Sequence, residues 1–166
     1  MPGTYRTPRL PAGLAMALAT GAASTAPLAA QDISFGLTGD IDTGAAGAVI
    51  EFHGQPVFGQ PGTLTGRWGV AARADLDGNA WAGAGFVLNF PLSDAAFVEA
   101  SFMPGYYAEG DRDLGGNLHF RSLIGFGYAI APRGAVVLSL DHISNGGIES
   151  HNPGAETVAL SYRMAF

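Results

Sequence analysis

Polar and apolar residues alternate along most of the chain with a period of two. Between Asp32 and Asp40, Ile33, Phe35 and Leu37 fall on one parity and Ser34, Gly36 and Thr38 on the other, as in a β-strand whose successive side chains leave opposite faces. Seven further segments repeat the pattern, near residues 47–53, 64–75, 80–90, 96–106, 118–130, 134–144 and 156–166. Turn formers such as Asp77-Gly78-Asn79 and Ala131-Pro132-Arg133-Gly134 separate them. The stretch GQPVFGQPGT, residues 54–63, carries two prolines and three glycines. Proline lacks the N–H that a ladder needs, so this stretch is predicted to be a connection.

The two parities differ in chemistry. One carries Phe35, Trp68, Val70, Phe86, Leu88, Phe102, Ile124, Phe126, Leu138 and Leu160, with His142 and Glu156 as its ionisable exceptions apart from tyrosines near the strand ends. The other carries Glu51, His53, Arg67, Arg73, Asp75, Glu99, His119, Arg121, Asp141 and Arg163. A soluble barrel would turn the charges outward. Charges of both signs facing inward, with hydrophobes outward, predict an all-β fold, an eight-stranded antiparallel transmembrane β-barrel of outer-membrane type with an ion-paired interior.

Composition agrees. Hydrophobic residues make up 48% of the 166 and charged ones only 13%, yet no run of about twenty apolar residues could span a membrane as a helix. A closed barrel is the remaining way to satisfy every backbone group in lipid. Residues 1–30 are expected to be a signal peptide, with Arg6 and Arg9 before an apolar run and Ala29-Ala30 before Gln31. The barrel domain is then 31–166. It carries six arginines against fourteen acidic residues, a net charge of −8, and no lysine, which excludes the basic surface of a nucleic-acid binder. Without cysteine, neither a disulfide framework nor a lipoprotein anchor is available.

The two exceptions on the apolar parity matter most. His142 and Ser144 are two apart on one strand, roughly 6.6 Å between Cα atoms on one face. Glu156 shares that face on the next strand. If it pairs opposite His142, their Cβ atoms are roughly 5 Å apart. His142 then lies between a hydroxyl and an acid, in the order nucleophile, base, orienter. Any one of the three alone reads as an interfacial, turn-forming or solvated residue. Two ionisable groups on a lipid-facing surface are harder to dismiss, because they cost free energy there. His53, His119 and His151 lack metal-ligand spacing, so no metal and no cofactor are expected.

The run His142-Ile143-Ser144-Asn145-Gly146-Gly147, then Asn152-Pro153-Gly154 and Glu156, closing on Tyr162-Arg163 and Phe166, resembles the lipid A 3-O-deacylases of the PagL family. The resemblance implies an eight-stranded barrel whose Ser-His-Glu triad faces lipid and removes the acyl chain ester-linked at position 3 of lipid A. It implies Ser144 as nucleophile, His142 as general base and Glu156 as the group orienting the imidazole. Asn152 matches the asparagine associated with the oxyanion hole and Asn145 the one after the serine; a backbone N–H of the Gly146-Gly147 turn would assist. Lipid A or lipopolysaccharide would be the substrate, in the bacterial outer membrane with the active site toward the outer leaflet. The sequence leaves a homodimer open. The competing reading is a non-catalytic adhesin or structural barrel, against which the short loops count. A palmitoyl-transferring barrel is more distant still.

Overall fold

A computed structural model describes residues 31–60 and 62–166 of the protein. The expected signal peptide, 1–30, lies outside the described residues. Eight strands follow one another: β1 (Asp32–Asp40), β2 (Ala46–Phe58), β3 (Thr65–Asp75), β4 (Ala80–Pro91), β5 (Ala96–Ala108), β6 (Leu118–Ala131), β7 (Gly134–Ser144) and β8 (Ala155–Ala165). Each pairs antiparallel with its neighbours, and β1 pairs with β8 to close the barrel. Connections 41–45, 76–79, 109–117 and 145–154 gather at one end, called the loop end below. Connections 59–64, 92–95 and 132–133 form the opposite, turn end.

The outer surface is apolar, as the alternation predicts. Phe35, Leu37, Trp68, Phe102, Ile124, Phe126 and Leu160 are all exposed on it. The interior holds one continuous polar network that touches every strand. Asn89 donates to Glu99, which pairs with Arg163; Arg163 also reaches Asp32, and Asp32 contacts His53. His53 contacts Glu51, Arg121 bridges Glu51 and Asp141, and Arg73 joins Asp141 to Thr157. Removing one partner from such a network strands a buried charge at a cost of about 3–5 kcal/mol. A shift of register would unpair these charges, so the network disfavours it.

Two expectations need correction. First, the lumen is not filled by ion pairs alone. Trp81, Val87, Met103, Tyr107, Leu114 and Ile143 form a buried apolar cluster, packing volume that the paired charges leave between the strands. Gly105 makes room for the indole, since a Cβ there would stand 2.6 Å from Trp81 Cε2. Second, residues 54–58 continue β2 instead of leaving it. The ladder shifts register around Pro56, which pairs with Arg67. Among the described residues β1 reaches only as far as His53 on its side of β2, so Pro56 sits on an uncovered edge where its missing N–H costs no bond. The turn-end connection shortens accordingly to 59–64.

Candidate active site

The outer face of β7 and β8 near the loop end brings the predicted residues together. His142 and Glu156 are directly opposed across the β7–β8 ladder. Imidazole Nδ1 stands 2.8 Å from Glu156 Oε1, with the two side chains 46% and 42% exposed. A carboxylate can only accept, so in neutral His142 the proton of this bond sits on Nδ1 and leaves Nε2 with a free lone pair. Asp141 and Thr157, the adjacent opposed pair, point inward and are clamped by Arg73. The ionic interior thus fixes the backbone beneath the His142–Glu156 pair.

Ser144 lies two residues farther along the same face, opposite Phe120 of β6. No hydrogen bond joins Ser144 to His142 among the described residues. Nucleophile–base contacts are often loose without substrate. The Cε1–Nε2 edge of the ring stands against Gly154, where a Cβ would come within 2.7 Å of Cε1 and 3.5 Å of Nε2. Gly154 belongs to the connection at the loop end, so this edge of the ring faces the end of the barrel toward which β7 runs from His142 to Ser144. Beside Ser144, the rings of Phe120 and Phe102 stack at 5.7 Å between centroids. The site is therefore a polar triplet bordered by an aromatic platform.

The two asparagines and Gly147 play different parts. Asn145 is fully buried. Its Nδ2 donates to the carbonyls of Leu114, Gly115 and His151, its Oδ1 accepts from Gly147 N–H, and its own N–H donates to Asn152 Oδ1. Asn145 thus holds the 145–154 connection together, and Gly147 N–H is engaged within it. Asn152 is exposed. Fixing its Oδ1 leaves its Nδ2 hydrogens as the donors not spent on that contact.

Metal-binding geometry is confined to the lumen among the described residues. Ligand atoms of Glu51, His53 and Glu99 lie within 4.8 Å of one another, a proximity that sequence spacing did not show. Each is already engaged: Glu51 by Arg121, His53 by Asp32, and Glu99 by Arg163. A cation would have to displace guanidinium groups from these carboxylates. An open depression of about 980 Å³ on the lipid side of the barrel is lined by Leu37, Ile50, Ala72, Ala82 and Tyr106, among others, and includes none of the triplet.

Residues 44–165 match the family described as Lipid A 3-O-deacylase (PagL). The fold is that of a membrane-spanning β-barrel, and the match covers most of the chain, so the chain belongs to that family. A curated relative, the lipid A deacylase PagL of Bordetella bronchiseptica, is 30% identical over 86 residues, covering 52% of this chain. The match spans 44% of that relative's length. Among solved structures, the outer membrane enzyme PagL superposes with a TM-score of 0.68 at 24% identity, over 81% of this chain and 99% of that one. A de novo designed transmembrane β-barrel reaches 0.58 at 11% identity, over 83% and 96%. These superpositions support the fold.

Proposed function

We propose that the protein is an outer-membrane serine esterase that removes the 3-O-linked acyl chain from lipid A, with its site toward the outer leaflet. The observation that carries this reading is the His142 Nδ1 to Glu156 Oε1 contact of 2.8 Å on the lipid-facing side of β7–β8, with Ser144 on the same face. Membership of the deacylase family supports the choice of ester and of lipid A. A barrel that buries its ionic groups in the lumen has little reason to spend an imidazole and a carboxylate on its lipid face unless they act there.

Ser144 Oγ attacks the ester carbonyl while His142 Nε2 takes its proton. The tetrahedral oxyanion is met by Asn152 Nδ2, with Asn145 and Gly147 shaping the turn that presents it. As the ester C–O bond breaks, His142 returns the proton to the departing lipid A oxygen. Water, deprotonated by the same imidazole, then releases the fatty acid from the acyl-serine and restores Ser144. Glu156 holds the ring and stabilises its charged form throughout. Phe120 and Phe102 offer a stacked apolar surface along which the acyl chain can lie. Every group used belongs to this chain, and the sequence expectation of no cofactor and no metal is carried into the proposal.

The test is the mass of lipid A from cells that make the full-length protein and otherwise keep the 3-O chain. The expected spectrum lacks one ester-linked acyl chain, and tandem fragmentation places the loss at position 3. Unaltered lipid A beside a correctly assembled barrel would refute the reading. Gly154→Ala probes the same geometry. Gly154 has a left-handed φ of 72°, which side chains resist, and the new Cβ would push on the imidazole. Deacylation is expected to fall by about a hundredfold, the scale of an ångström-sized misplacement, while the folded barrel keeps its heat-modifiable gel mobility.

A further inference from the structure

The loop end is strongly acidic, with Asp42, Glu109, Asp111, Asp113 and Glu149 all exposed. Arg112 is the one arginine among its described loop connections. At a surface facing a phosphorylated glycolipid, such an arginine would ordinarily be read as a ligand for the anionic headgroup. Its side chain is already engaged. Nη1 donates to Asp40 Oδ2 at 2.7 Å, and Nη2 donates both to Asp42 Oδ2 at 2.7 Å and to the Gly154 carbonyl at 2.9 Å. Its backbone is held as well, the N–H donating to Asn79 Oδ1 and the carbonyl accepting from Tyr107. Burial alone would lower its pKa, but Asp42 and Asp40 more than offset that and hold the guanidinium above its ordinary value.

The geometry points to Arg112 as a positioning residue for the triad, a latch that spans the two loops flanking Glu156 and so sets where the His142 ring stands. This rests on the esterase reading of the site. Two routes lead from the latch to the reacting groups. On one side, Asp40 caps its own turn through Oδ1, which accepts from the N–H groups of Asp42 and Thr43. The next residue, Ile41, donates its N–H to the Glu156 carbonyl at 2.9 Å. On the other side, Arg112 grips the carbonyl of Gly154, the residue packed against the imidazole Cε1–Nε2 edge. Each route is a short chain of hydrogen bonds or van der Waals contacts, and both meet at the His142–Glu156 pair. A guanidinium can reach three oxygens at once in this way because its donors form a fixed fork, which lysine lacks.

The experiment uses the full-length protein refolded or extracted in detergent, as wild type, Arg112→Ala, Arg112→Lys and the double variant Asp40→Asn/Asp42→Asn, with Ser144→Ala as the inactive reference. Deacylation of purified lipid A is measured as kcat and KM separately. The rate of diethylpyrocarbonate modification at His142 is followed by peptide mass spectrometry. Arg112→Ala is expected to lower kcat about tenfold with KM little changed, the scale of a modest misalignment. Arg112→Lys should recover part of the loss, and the aspartate variant should reproduce it. In both impaired variants His142 should react faster with the reagent, because Gly154 no longer shields its free nitrogen. A raised KM in Arg112→Ala with kcat kept, joined by a lowered KM when the aspartates are removed, would make Arg112 a headgroup ligand and overturn the latch. Unchanged kcat and unchanged His142 reactivity in Arg112→Ala would overturn it too. Should Arg112→Ala fail to fold, the aspartate variant carries the same comparison. If the wild type itself leaves lipid A intact, the esterase reading falls, and the His142 modification rates still decide the latch.

Discussion

Ser144→Ala is expected to abolish removal of the acyl chain, with a fall in kcat on the order of a millionfold, the scale seen when the nucleophile of a serine hydrolase is deleted. The barrel should assemble unchanged, because the Ser144 side chain makes no hydrogen bond among the described residues and its opposite number, Phe120, packs on Phe102 independently. The double variant Ser144→Ala/His142→Ala should be no worse than Ser144→Ala alone, since a base without its nucleophile has nothing to activate. A rival hydroxyl sharpens the test. Ser122 of β6 is the direct partner of His142 across the β6–β7 ladder and is exposed on the same surface. Its backbone is level with His142, whereas the Cε1–Nε2 edge of the ring stands against Gly154 at the loop end, the end toward which β7 carries Ser144. Ser122→Ala should therefore keep its activity. Loss of acyl release in Ser122→Ala, with retention in Ser144→Ala, would move the nucleophile to β6 and sink the assignment of Ser144. The measurement is fatty-acid release from lipid A in detergent, with folding checked by gel mobility before and after heating.

The distinction between these two serines shows what the sequence could carry. Strand parity was readable wherever polar and apolar residues alternate, and it put His142, Ser144 and Glu156 outward and Asp141 inward. The ion-paired interior it predicts is seen at Asp141, which pairs with Arg73 and Arg121. What parity cannot supply is cross-strand register between segments far apart in sequence. Ser122 beside His142, Glu99 beside Glu51 and His53, and Arg112 over Asp40 and Gly154 all depend on it. The strand through Pro56 escapes the sequence for a related reason. Proline is tolerated on an open strand edge, and that β1, among the described residues, reaches only as far as His53 on its side of β2 is again a matter of register. Asn145 is instructive in the other direction. Its place after the serine suggested the chemistry, and its burial with three carbonyls around Nδ2 assigns it to the loop scaffold.

Glu156→Gln should lower kcat by about a hundredfold to ten-thousandfold while leaving KM and the barrel largely intact. The loss does not come from packing, since glutamine has nearly the same shape and Glu156 is 42% exposed. It comes from the proton on the imidazole. Glu156 only accepts, which keeps hydrogen on Nδ1 and the lone pair on Nε2. A glutamine amide can donate to Nδ1 instead, moving the hydrogen to Nε2, where the ring can no longer take a proton from Ser144. Swapping an orienting acid for its amide costs roughly 10⁴ in a serine protease for this reason. The partial exposure here makes the lower end of the range admissible, because water can help hold the ring. The same substitution also removes the negative charge that stabilises the imidazolium formed during attack. Combining Glu156→Gln with Ser144→Ala should add nothing to Ser144→Ala alone. A glutamine variant that retains wild-type kcat would show that the 2.8 Å contact is structural, and that His142 is oriented by some other group.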